Sequence, residues 1–148
     1  MMANYWPHLL AMLVGGALTV QVGMNATLAR VIGSPLWASA INFAVGLLAL
    51  VGFAAVAGSR ASTGSLGQVP AWAWIGGLLG AVYVASVTIL GPRLGGMTLV
   101  ALVLAGQLIV ALLVDQFGIL GYPQIAVTPT RLLGAALLLA GALLVMRR

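Results

Sequence analysis

The chain has no cysteine and is almost as poor in charge. Only 5% of its 148 residues are charged: six arginines and one aspartate, with no lysine or glutamate, beside a single histidine. Each scarcity excludes something. Without Cys there are no disulfides, thiolate metal sites or Cys nucleophiles. One His and one Asp supply neither a carboxylate pair nor a three-ligand metal site, so no catalytic residue, metal or cofactor is expected. The chain is therefore read as something other than an enzyme. The pI of 11.4 comes from scattered arginines, not from a patch able to neutralise several phosphates, which argues against a nucleic-acid partner. A soluble domain is about a quarter charged. So few charges cannot cover a globule in water.

What the chain has in excess is apolar surface: 63% of residues are hydrophobic and the mean hydropathy is +1.20. Lipid is the expected solvent. A hydrocarbon core of about 30 Å takes roughly 20 apolar residues per helix. Glycine and proline divide the sequence into five runs of that size, at 8–29, 36–57, 71–90, 96–117 and 131–146. The expected fold is an all-α, polytopic bundle of five transmembrane helices forming a single domain over 1–148. Only 58–70 reads as a solvated loop. Gly91-Pro92-Arg93 is read as the turn ending the third span, and the following Gly95-Gly96 lacks the Lys-Ser/Thr of a phosphate loop. The segment before the first span has no basic residue, and the first run is longer than a signal-peptide core, so an uncleaved span is expected.

With five spans, Arg30, Arg93, Arg147 and Arg148 fall on one side and Arg60 and Arg131 on the other. That bias favours a cytoplasmic C-terminus and an outside N-terminus, and it is small enough to leave dual insertion open. Trp6, Trp37, Trp72, Trp74 and Tyr122 sit mostly at span ends, as an aromatic belt does, and His8 is expected at the interface. Small residues let helices approach closely in lipid. Gly77 and Ala81 in the third span, and Gly134 and Gly141 in the fifth, are the expected packing stripes.

Polar residues inside the spans carry the information, because each needs a partner or a wet cavity. Gln21 and Asn25 lie one turn apart on the first span, Asn42 is a third of the way into the second, and Gln107 is near the middle of the fourth. Two readings stand side by side: interhelical glue, worth about 0.6 kcal/mol per bond, or the lining of a substrate path. Asp115, the only acid, also has two readings. It is either a carboxylate that couples transport to protons or cations, or one half of an ion pair with Arg131.

The stretch Gln21-Val-Gly-Met-Asn25-Ala-Thr-Leu-Ala-Arg30, then Gly33-Ser-Pro-Leu-Trp-Ala38 and Asn42-Phe43 with Gly46, resembles the opening of the YdcZ-like inner-membrane exporters. Gly106-Gln107, Asp115-Gln-Phe-Gly118 and Arg131-Leu-Leu-Gly134 resemble the far end of the same family, with Gln116 where the pattern has His. That family is the short, five-helix branch of the drug/metabolite transporter superfamily. The resemblance implies a bacterial inner membrane, small-molecule export, and Gln21, Asn25, Asn42, Gln107, Asp115 and Arg131 as the positions to test.

No internal repeat relates the two halves of the chain, whereas many transporters rock two inverted repeats against each other. A single five-span unit therefore implies a second, oppositely oriented chain, either a copy of itself or a paralogue. The resulting expectation is half of a small-molecule exporter, working as an antiparallel homodimer or a paired heterodimer with lipid around it. The alternatives are an assembly subunit of a membrane complex or a small channel.

Overall fold

The computed structural model describes residues 5–60 and 63–146, which form helices and connections with no strand. Five helices are long and apolar enough to cross a membrane: α1 (Trp6–Ile32), α2 (Pro35–Val56), α3 (Ala71–Leu94), α4 (Gly96–Phe117) and α5 (Pro129–Met146). A short 3-10 helix, Thr63–Gln68, occupies part of the expected loop between α2 and α3. The remainder of that loop includes positions 61–62, outside the described residues, as do the tail arginines Arg147 and Arg148 and the first four residues.

Helix ends follow local chemistry. α1 stops where Gly33 takes φ +75°, a left-handed conformation that glycine adopts without a Cβ penalty. Two residues later Pro35 opens α2, and the Ser34 hydroxyl accepts the Trp37 N–H at 3.3 Å. Proline is suited to this first turn because its missing N–H would have had no partner there. α4 coincides with its expected run and ends at Gly118, again left-handed at φ +60°.

Several ends differ from expectation: α1 begins two residues early, at Trp6, and α2 is displaced by one residue, to Pro35–Val56. α1 runs three residues further at its C-terminal side than the 8–29 run. α3 continues through Gly91-Pro92-Arg93 to Leu94 and stops only at Gly95, φ +80°. Pro92 removes one backbone donor, but the steric penalty a proline imposes on its predecessor falls partly on that residue's Cβ, and Gly91 has none. α5 begins at Pro129, two residues before the expected Arg131. Thr128 caps it: its hydroxyl accepts the Arg131 N–H at 3.3 Å and its carbonyl accepts the Leu132 N–H at 3.0 Å.

The chain divides into two units, Met1–Arg93 and Leu94–Arg148. In the first, α1 and α2 approach each other closely along their backbones. α3 meets them through side chains: Val87 and Thr88 are buried, and the Phe43 ring of α2 lies opposite Gly80. In the second, α4 and α5 form a close pair around Leu99, Val114, Ala135 and Ala142, all buried. The buried stripe of α5 thus runs through Ala135 and Ala142. Gly134 and Gly141, one residue away, are exposed, as are Gly77 and Ala81 on α3. Trp6, Trp37, Trp72, Trp74 and Tyr122 are also exposed.

Candidate functional site

In the first unit the structure brings three of the four span amides together. Asn25 is buried on α1 and donates from Nδ2 to the Thr88 hydroxyl of α3 at 3.2 Å. That hydroxyl in turn donates to the Val84 carbonyl at 2.7 Å, so a two-bond relay ties α1 to α3. One turn earlier on α1, Gln21 is half-buried and has no side-chain hydrogen bond among the described residues. Asn42 on α2 is half-buried and equally unpartnered.

Gln21 and Asn42 line one open groove of about 340 Å³. Its remaining wall is apolar, formed by Phe43, Gly46, Leu47 and Leu50 of α2 and Val84 of α3. Gln21 also lines a narrow recess of about 10 Å³ shared with Asn25 and with Tyr83 of α3. The helical register explains the arrangement. Gln21 and Asn25 are four residues apart and share a face. On α2, Asn42, Gly46 and Leu50 likewise follow at intervals of four, with Phe43 and Leu47 beside them. No side chain lining the groove carries a charge.

Gln107 belongs to the second unit, exposed on α4 and without a side-chain partner among the described residues. There the polar chemistry gathers where α4 ends and α5 begins. Asp115 and Arg131 form an ion pair, and the same guanidinium donates to the Ile125 carbonyl at 3.3 Å. The connecting segment folds back on α4 at three further points. Ile125 N–H donates to the Asp115 carbonyl at 2.8 Å, Gln124 Nε2 to the Gln116 carbonyl at 3.1 Å, and Val127 N–H to Gln116 Oε1 at 2.8 Å. Gln116, the departure from the resembled pattern, therefore acts through its side-chain carbonyl as an acceptor.

Thr88, Tyr83 and Phe43 join the residues proposed from the sequence as site positions, Phe43 having stood there only within the Asn42-Phe43 motif. Thr88 and Tyr83 are visible there only as polar residues within an apolar run; their pairing with α1 is a tertiary fact. Among the described residues no cluster of His, Cys, Asp or Glu could hold a metal ion.

Comparison with known proteins adds one positive finding. The family model DMT_YdcZ, described as "Putative inner membrane exporter, YdcZ", matches residues 6–144. A search of curated proteins and a search of solved structures return no match. The family match covers four helices whole and α5 to within two residues of its end, and includes both the amide-lined groove and the Asp115–Arg131 pair. With five apolar helices under one family model, the chain belongs to the YdcZ family and is a multi-pass inner-membrane protein of the transporter class.

Proposed function

We propose that the chain is half of a small-molecule exporter and that the groove between α1, α2 and α3 is its substrate surface. One observation carries this reading: Gln21 and Asn42, from two different helices, face the same groove with their amides unpartnered. Polar groups at membrane depth are costly unless they meet a partner or water. Asn25 has found Thr88. Gln21 and Asn42 have donors and acceptors free for a solute. Asp115, held by Arg131, serves here as an anchor of the α4–α5 connection.

The second half is a second chain in the opposite orientation, a copy of this one or a paralogue. The lack of an internal repeat supports that reading, as does the low burial of every span within one chain (6–11% of each hydrophobic window). Gly77, Ala81, Gly134 and Gly141 then offer small-residue surfaces to the partner.

The test compares solutes released by cells producing the wild-type chain with those released by cells producing Gln21→Leu/Asn42→Leu at equal membrane abundance. Export of a defined set of solutes that falls several-fold in the variant is the expected result. An unchanged profile overturns the groove assignment. Single-Cys cross-linking in native membranes tests assembly: antiparallel pairs are expected, and parallel pairs alone, or an active monomer, overturn it.

A further inference from the structure

The first unit contains no acidic residue and no lysine. Its arginines lie away from the groove: Arg30 and Arg93 in the last turns of α1 and α3, and Arg60 in the connection after α2. Arg30 is engaged locally, donating to the Thr27 hydroxyl at 3.0 Å. A charged solute moving into the groove would lose hydration and find no counter-charge, which costs several kcal/mol per ion even after relaxation. A second copy of the chain brings no free carboxylate for a cation, because its only acid is already paired with Arg131.

The groove offers something different. An unpartnered primary amide presents one acceptor oxygen and two N–H donors, and Gln21 and Asn42 each supply such a set. Around them are an aromatic ring, Phe43, and the aliphatic side chains of Leu47, Leu50 and Val84. A mostly apolar pocket with a few placed polar groups is the usual form of a small-molecule site, and its volume falls in the range of such sites.

We propose that the groove takes its ligand uncharged: a small, largely apolar molecule bearing both a hydrogen-bond donor and an acceptor, which meet Gln21 and Asn42. This rests on the groove being the exporter's substrate surface and adds the charge state of what it accepts. A solute that ionises in the cytoplasm enters only through its neutral fraction.

The chain contains three phenylalanines, so it carries its own reporters. Phe43 lines the groove, Phe53 is exposed further along α2, and Phe117 ends α4. Protein labelled with 4-fluorophenylalanine in lipid nanodiscs gives three fluorine resonances, assigned by Phe53→Leu and Phe117→Leu. The probes are two matched sets at neutral pH: phenylacetamide, phenylacetate and phenethylamine, then hexanamide, hexanoate and hexylamine. The amides should shift the Phe43 resonance saturably, leave Phe53 and Phe117 in place, and lose that effect in Gln21→Leu and Asn42→Leu. The corresponding ions should leave Phe43 unmoved.

A saturable Phe43 shift from an ion as strong as that from its amide overturns the charge assignment. So does the absence of any Phe43-specific response to both amides, or a response indifferent to both Leu substitutions, as acyl-chain-like partitioning would give. An ion response that depends on Gln21 sinks only the charge assignment and leaves the exporter reading standing. Failure of the exporter reading shows separately, as unchanged solute release in the double variant.

Discussion

Asp115, two residues before the end of α4, is ion-paired with Arg131, in the first turn of α5. Because the same guanidinium holds the Ile125 carbonyl, one arginine fastens both the helix end and the segment that follows it. The side chains are 19% and 35% exposed, respectively, so the pair is neither a free surface contact nor fully buried.

Asp115→Asn is therefore expected to lower stability by about 1–2 kcal/mol, between the ranges for exposed and buried pairs. Arg131→Met should cost a similar amount. The double variant should lose less than the sum of the two, by at least about 0.5 kcal/mol, since each single change strands the other partner. Thermal unfolding in detergent checks this. Strict additivity would show that the two side chains do not depend on each other.

Gly118 and Gly121 separate strain from crowding. Both have positive φ, +60° and +84°, where an alanine costs about 1 kcal/mol. A Cβ on Gly121 meets open space, whereas one on Gly118 would stand 2.9 Å from the Gln124 Cβ and 3.2 Å from its backbone. Gly118→Ala should therefore destabilise by about 1 kcal/mol more than Gly121→Ala, the low end of the penalty for overpacking. Equal losses would mean that Gln124 moves aside freely.

Gln116→Leu removes the acceptor for the Val127 N–H. Amide exchange at Val127 should accelerate several-fold, with little change in the middle of α4. Gln116→Glu keeps an acceptor oxygen and should preserve protection. If both variants exchange alike, the side-chain carbonyl is not what holds the segment.

The three clustered amides divide by what they touch. Thr88→Val keeps the shape of the side chain, strands the Asn25 donor, and should cost about 0.6 kcal/mol, with a ceiling near 1.7. Gln21→Leu and Asn42→Leu break no hydrogen bond and should leave stability within about 0.5 kcal/mol. Those two should instead reduce export. A large stability loss in either would move it to the same structural role as Asn25.

The five spans were legible because hydropathy and run length are local, and lipid demands about 20 apolar residues each time. α4 coincides with its run to the residue. Boundaries slipped where proline is ambiguous: Gly91-Pro92 and Pro129 both signal a break, and one lies inside a helix while the other starts one. Gln21, Asn25 and Asn42 stood out as polar residues in apolar runs. Which of them is partnered was not legible, since Asn25 and Thr88 are 63 positions apart and their meeting depends on how α3 lies against α1. The back-folding after Gly118 was hidden for a related reason. It is built from backbone groups and the Gln124 side chain of a segment with no periodicity to read.

The relay from Asn25 through Thr88 to the Val84 carbonyl has a consequence for motion. α3 has no close backbone approach to α1 or α2, and the Asn25–Thr88 contact is a hydrogen bond that joins it to α1. Such a bond is worth about 0.6 kcal/mol, comparable to thermal energy at room temperature. Heat alone should break and remake it often, leaving the side-chain packing of Val87 and Phe43 to hold α3 while α1 and α2 keep their spacing. The width of the groove is then a fluctuating quantity. On the substrate role proposed for the groove, a solute wedging beside Val84 would select wide states already sampled.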